Sequence, residues 1–578
     1  MSHFFRDCPD LRFHMAHVDW ARIVPFLEDE FRLAAEGGPS DLPEALEVHE
    51  AVLDLVGEIA GEVIAPEAAE VDRQGATLVD GRVHYAEPTV RHLKALGEAG
   101  LFGCTIERRF GGQNLPTTLY TATVELIARA CASLMNIYAL QGCGDTLERF
   151  GSEALKQRFV PGIATGEISC CMSLSEAGAG SALGSVSTRA VPVDEAKGLW
   201  RLTGSKVFST NGGAELLLVL ARSEEGSTDA RGLSLFAVPR SEGVRVASLE
   251  EKLGLHGSPT ALVHLEGAEG FLVGERRRGL VTYVMALIHG ARLEVAAQAV
   301  GIGQAAFAAA VRYVHERRQF DRAIEEFAPV RQQILEMELL LQASRNLVYR
   351  TSEVVDRMRG LSRMIARHPD DPRVPTWRDE SKRLARVEDV LTPLTKYWAA
   401  EAGNAVCYRA LQMHGGYGYC REYQVERHVR DVRVTNLYEG TSEIQVGGIV
   451  GLLASGEFEV VLAEVAGDLP DDPADAAARA RFEVGVRLTR EACAFLASPS
   501  LEKNLLQLRA RPLADMVADV VAGAQFLRHA PLDPRKRLLA GAFLHDAASR
   551  WVERRAVVMD GDRTALDAYD ALVEPYRT

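Results

Sequence analysis

The sequence predicts an α+β multidomain fold: an N-terminal helical domain, a central β-barrel-like domain, a C-terminal helical bundle and a further helical extension. Three observations carry that expectation. Apolar residues recur at helical spacing through residues 42–166. Near Gly166 the texture changes to short β-branched and apolar runs separated by Gly and Asn turns, and this lasts to about residue 277. Helical spacing then returns at about residue 279 in one very long segment.

Taken in order, residues 1–41 read as an N-terminal extension ending at the loop "EGGPSDLP". In the first helical domain, 42–166, the stretch "ALEVHEAVLDLVGEIAGEVIAPEAAEVD" puts Val48, Val52, Leu55, Val56 and Ile59 on one face. "TTLYTATVELIARACASLMNIYALQGCGDTLERFG" reads as two more buried helices. Strands are expected in "GLWRLTGSKVFSTNGGAELLLVLARS", "GLSLFAVPRS" and "GVRVASLEEKLG" within 167–277. The bundle, 278–453, is interrupted at 358–380, where several Arg, three Pro and "HPDDPR" predict an exposed insertion. The remaining residues, 454–578, are again helical in pattern.

A chain of 578 residues is too long for one core and fits three or four domains. Its net charge of −15 argues against a general binder of nucleic acid or anionic membrane, because both need basic surface. The nine cysteines include no C-x-x-C pair, which is the usage of reduced thiols in a cytoplasmic compartment. The N-terminus lacks an apolar signal region, and no run approaches the ~18 consecutive apolar residues of a membrane span, so no membrane insertion is expected.

Two motifs are decoys. Gly301-Ile302-Gly303-Gln304-Ala305-Ala306 fits a dinucleotide fingerprint, but the residues before it have helical spacing where a strand is required. These small residues are better explained as a close helix contact. His14 and His17 lack the acidic or Cys partners of a metal site, so no metal is expected.

Other motifs carry chemistry. "MSLSEAGAGS" (172–181) and "VFSTNGG" (207–213) join hydroxyls and glycines to strand ends, where exposed N–H groups can hold a phosphate or a polar ring edge. "ERRQF" (316–320) ends the long helix, and "YEGTSEIQ" (438–445) sets Glu439 and Gly440 just ahead of an apolar helix. Thr441 or Ser442 can cap that helix and its dipole favours Glu443, which leaves Glu439 unexplained by structure alone.

With "KLGLHGSPT" (252–260) and "QMHGGYG" (412–418), these motifs follow the order and spacing of the acyl-CoA dehydrogenase family, which the chain resembles over about residues 45–453. The tail and the 358–380 segment are similar to its longer branch, that of 3-methylmercaptopropionyl-CoA dehydrogenases. The resemblance implies a C-terminal four-helix bundle, bound FAD, an acyl-CoA substrate, a homodimer, and an electron-transfer flavoprotein as electron acceptor. It places Leu174 and Ser175, in the segment opened by Met172, at the pyrimidine side of the flavin. Phe208, Ser209 and Thr210 fall near its reactive edge, and Ser181 by the pyrophosphate and pantetheine arm. Arg317, Gln319, Phe320, Gln412, Gly415 and Gly416 resemble residues that reach the adenosine half of FAD in a neighbouring subunit. Thr441 and Glu443 would close over the cofactor, and Arg292 would lie under the catalytic loop. The sequence departs from the family pattern at Ala177, Ala182, Phe208 and Asp321, where Pro, Asp, Trp and Gly are usual.

Desaturating a thioester needs an acceptor for hydride, which no side chain provides, and a carboxylate base in a dry pocket for the α-proton. The resemblance assigns that base to Glu439, with Gly440 letting the backbone approach the thioester. Relatives that carry the base on the long helix hold it immediately before the arginine matching Arg292, where this chain has Ala291. Two rivals remain. One is an acyl-CoA oxidase that passes electrons to oxygen. The other is a flavin-bearing DNA-binding protein, which the tail disfavours with 16 Lys/Arg against 20 Asp/Glu in 455–578.

Overall fold

A computed structural model describes residues 3–577. Helix α1 (Pro9–Ala16) buries Leu11, His14 and Met15, and the Trp20 indole donates to the Met15 carbonyl at 2.9 Å. The N-terminal extension is therefore part of the core. Helix α2 (Leu42–Glu58) starts where the Asp41 side chain accepts from the Glu44 N–H. Its buried face is Ala45, His49, Leu53 and Val56, followed by Ile59 and Ala60; Val48 and Leu55 are exposed. The expected face is right at Val52, Val56 and Ile59 and wrong at Val48 and Leu55; the contact instead takes in Ala45, His49, which packs on Trp20, and Gly57, where a Cβ would stand 2.7 Å from Phe5. Helices α3 (Thr117–Ala130), α4 (Ala132–Tyr138) and α5 (Gly142–Phe150) complete this domain's core; nearly every residue of α3 is buried.

The central domain is a seven-stranded sheet. Numbering only its strands, β1 is Cys170–Ser173, β2 Arg189–Asp194, β3 Leu199–Thr210, β4 Leu216–Arg222, β5 Leu233–Pro239, β6 Val244–Leu249 and β7 Thr260–Val273. The order is β1-β4-β2-β3-β7-β5; β6 pairs with β7, and β5 pairs back to β4. Strand β1 runs parallel to β4, with Met172 opposite Leu218. The buried runs of β4 and β5 explain why the sequence shows continuous apolar stretches there.

Helix α6 (Met285–Glu316), α7 (Ala328–Arg367) and α8 (Val374–His414) pack on one another, and α9 (Ser442–Leu452) packs on α8. The glycines of the decoy fingerprint act as expected: a Cβ at Gly301 would stand 2.4 Å from the Glu125 carbonyl of α3, and Gly403 lies against Ala299. The segment 358–380 is exposed mainly around its turn, at residues 369–379. It is the end of α7 and the start of α8, joined by a short turn, with Leu361, Met364, Val374 and Trp377 buried. Three of its arginines are paired across the fold: Arg359 meets Asp145 at 2.6 Å, Arg363 meets Glu148 at 3.1 Å and Arg367 meets Glu107 at 2.9 Å.

Helices α10 (Ala476–Leu496), α11 (Ala510–His529) and α12 (Pro534–Met559) form the extension, and their apolar faces share one core with α7, α8 and α9. Trp551 fills the space left by Gly485, whose Cβ would stand 2.4 Å from the indole. Asp10 of α1 reaches Lys536 at 2.7 Å and Arg535 at 2.5 Å, so α1 is fastened to α12. All nine cysteines are free, and only Cys420 is exposed. Two helical spans, Gly279–Glu316 and Ser442–Ala466, are long and apolar enough to cross a membrane by length and composition. Both pack against neighbouring helices: α6 on α3, α7 and α8, and α9 on α8 and α11.

Candidate active site

Glu439 occupies a left-handed backbone conformation with φ 54°, and Gly440 follows at φ 93°. Two consecutive positive φ values fold the chain sharply before Thr441, whose side chain caps α9 by accepting from the Ile444 N–H. Three side chains hold the turn through its carbonyls. Gln445 Nε2 donates to Glu439 O at 2.8 Å and to Gly440 O at 2.9 Å. Lys396 Nζ, fully buried in α8, donates to Gly440 O at 2.7 Å, and Arg292 Nε donates to Glu439 O at 3.5 Å. Just before it, the Tyr438 hydroxyl donates to Gln298 Oε1.

The Glu439 carboxyl opens into a cavity of about 560 Å³ bounded by α3–α5, α6, α7 and the ends of β1 and β3. Burial pushes this carboxyl above its ordinary range, opposed by the Lys396 and Arg292 cations. The same burial lowers the Lys396 ammonium to about 7. A second carboxyl, Glu294, lines the cavity from α6 and is pushed up to about 8 by burial. Ala291 lies one turn before it on the same wall.

Another wall of the cavity comes from the sheet. Met172 and Thr210 line the cavity. Beside them Ser173 and Ser209 share a hydrogen bond of 2.8 Å, and Val207 N–H donates to Ser175 O at 3.0 Å, tying the end of β1 to β3. Phe208 has φ 54° and is 67% exposed. Asn211 donates to the Cys170 carbonyl at 3.0 Å and accepts from Tyr85, which fixes this corner.

Three family models match in succession: the acyl-CoA dehydrogenase N-terminal domain over residues 47–167, its middle domain over 171–268, and its C-terminal domain over 278–367 and 377–451. The chain belongs to the acyl-CoA dehydrogenase family. It is 33% identical to a 3-methylmercaptopropionyl-CoA dehydrogenase of Ruegeria pomeroyi over 69% of this chain and 70% of the relative. It is 31% identical to a 3-(aryl)acrylate reductase of Clostridium sporogenes over 69% and 96%. The solved acyl-CoA dehydrogenase of Bacillus anthracis, complexed with FAD, shares the fold with a TM-score of 0.75 over 94% of this chain and 93% of that one, at 22% identity. That match extends over the C-terminal extension as well. Acyl-CoA dehydrogenases are FAD-dependent oxidoreductases acting on CH–CH groups.

The residues present fit that cofactor. Thr210 lines the cavity, and in the strand ends and loop beside it stand the exposed ring of Phe208, the hydroxyl of Ser175 and open space above Gly178 and Gly180. Leu174 is buried, while Ser181 is exposed on the following loop. Glu176, in the segment that departs from the family pattern, is structural: it accepts from Lys206, Ser187 and Thr188.

A second group of expected residues gathers away from the cavity. Arg317 stacks over Tyr417 at 5.7 Å, and Gln319 and Phe320 lie on a two-stranded hairpin with Phe320 87% exposed. Gln412, Gly415 and Gly416 are exposed beside them. Glu443 faces outward and pairs with Arg511 of α11 at 2.6 Å. Lys396, Glu294 and Gln445 were not anticipated. Lys396 and Glu294 are the charged residues set among mostly apolar ones in "LTPLTKYWAA" and, beside Arg292, in "ARLEVAAQAV".

Proposed function

We propose that this acyl-CoA dehydrogenase desaturates an acyl-CoA thioester between the α- and β-carbons, with Glu439 as the base. The observation that carries the proposal is that the Glu439 loop and the strand ends at Thr210 and Met172 are both walls of one cavity. An acyl chain between those walls would present its α-proton to Glu439 and its β-carbon to the sheet side. FAD supplies the acceptor for the β-hydride. Removing water from the cavity raises the basicity of Glu439, which suits it to a weakly acidic C–H. Arg292 and Lys396 hold the loop by its carbonyls, so the Glu439 N–H is left to polarise the thioester oxygen. Arg317, Gln319, Phe320, Gln412, Gly415 and Gly416 are assigned to the adenosine half of a neighbouring subunit's FAD. On this reading the enzyme is a cytoplasmic homodimer, neither nucleic-acid-bound nor membrane-inserted, and passes its electrons to an electron-transfer flavoprotein.

The test is stopped-flow bleaching of the bound flavin by acyl-CoA. Glu439→Gln keeps size and hydrogen bonding, and it should bind FAD and ligand while losing at least ~10³-fold in the rate. Near-wild-type bleaching would remove Glu439 from the reaction. Rapid re-oxidation of the reduced, product-bound enzyme by air would instead identify an oxidase.

A further inference from the structure

Glu294 is a carboxyl that the proposed desaturation does not use. It projects from α6 into the same cavity as Glu439, about 4.5 Å along the helix axis from Ala291. Its Oε1 accepts from the Tyr120 hydroxyl at 3.1 Å. Among the described residues Oε2 has no hydrogen-bond partner, and the side chain is only half-buried although it lies inside the protein. Met135, Leu140, Leu287 and Leu293 line the cavity with it, the lining charges of Asp145 and Glu148 are already paired with Arg359 and Arg363, and Gly142 leaves space 3.5 Å from Oε1. A carboxyl in such a wall faces water only while the chamber is empty. A hydrocarbon chain would strip that water and leave Oε2 unpaired, which is unfavourable.

We propose that Glu294 and Tyr120 form a polar recognition point in the acyl chamber, and that the preferred acyl group carries a hydroxyl, ether or carbonyl oxygen beyond the β-carbon. The inference rests on the desaturase reading of the cavity and narrows its substrate class. With Tyr120 donating to Oε1, Oε2 is the oxygen free to carry the acid proton and to donate to a substrate acceptor. Burial keeps that proton on at neutral pH, aided by the nearby charges of Glu439 and Asp145.

The experiment uses the FAD-loaded enzyme and pairs of acyl-CoAs of equal length, one saturated and one with a single ether or keto oxygen beyond the β-carbon. Wild type should favour the oxygenated member by at least ~10-fold in kcat/KM, the scale of discrimination by one buried hydrogen bond. Glu294→Leu should reverse the ranking, Tyr120→Phe should weaken it, and Glu294→Gln, whose amide still donates, should keep it. An identical ranking in wild type and Glu294→Leu would overturn the proposal. Calorimetric Kd values for the same pairs separate the two readings. If neither substrate bleaches the flavin, the desaturase reading fails, and the Kd ratio still decides for or against the polar point.

Discussion

Lys396 Nζ donates to the Gly440 carbonyl at 2.7 Å, joining the middle of α8 to the turn that presents Glu439. This one bond does two things. It fixes the backbone of a loop in an unfavourable conformation, and it places a cation where it opposes the burial of the carboxyl.

The pH dependence of flavin reduction should therefore depend on Lys396. Glu439 acts only when ionised, so the rate should rise with pH on a limb above the ordinary carboxylate range. The charges facing it are Lys396 and Arg292, which favour ionisation, and Glu294 nearby. Lys396→Met removes one favourable charge, and the limb should move to higher pH. An unmoved limb in a pH profile of single-turnover reduction would contradict this.

Gly440→Ala should slow reduction and destabilise the loop. Any residue with a Cβ at φ 93° is strained, and this Cβ would also stand 2.6 Å from Gln445 Nε2. The cost should be roughly 1–2 kcal/mol in denaturant unfolding. Gln445→Ala in the same background should not restore the rate, because the backbone strain remains.

The base should be movable. Glu439→Gly with Ala291→Glu should recover part of the bleaching rate lost in Glu439→Gly alone, since residues 291 and 439 line the same cavity. No recovery, in a variant that still binds acyl-CoA, would mean that the two positions do not address the same carbon.

Arg317→Ala should weaken FAD retention and dimerisation together, because Arg317 and Tyr417 are exposed in this chain and far from the cavity. Ultrafiltration and light scattering measure the two losses. A monomer that still holds FAD tightly would refute the shared site.

Acid stability should depend on Asp10. Its buried carboxylate gains from Lys536, Arg345 and Arg535 more than burial costs it, so its folded pKa lies below the unfolded value of about 4. That contribution is present above pH ~4 and is lost as pH falls towards the folded pKa. Asp10→Asn should flatten the decline of unfolding free energy below pH ~4, measured by urea titration at several pH values.

What the sequence revealed depended on how local the signal was. The Glu439 turn, the Thr441 cap and the strand ends at Met172 and Thr210 lie within short stretches whose residue types follow from their own backbone. The end of α7 was misread because Arg and Pro suggest solvent; Arg359, Arg363 and Arg367 instead meet Asp145, Glu148 and Glu107 more than 200 residues earlier. The face of α2 is legible at Val52, Val56 and Ile59, but bulk at Val48 and Leu55 looks like core while the contact is made by small Ala45 and Gly57 and by His49. Lys396 and Glu294 acquire meaning only from partners on other elements, Gly440 and Tyr120.

The core shared by α7–α9 and the extension sets a timetable for biosynthesis. Leu384, Leu391 and Leu394 on the helix of Lys396 are covered in part by residues as late as Val558. At roughly 5–20 residues per second, translation emits the catalytic loop many seconds before the chain that seals the helix beneath it. The N-terminal helices and the sheet emerge first, and the core beneath the Glu439 loop is complete only once residues 476–558 have followed. A nascent chain stalled before the extension would thus contain the Glu439 loop and still leave a wide apolar surface for chaperones to bind.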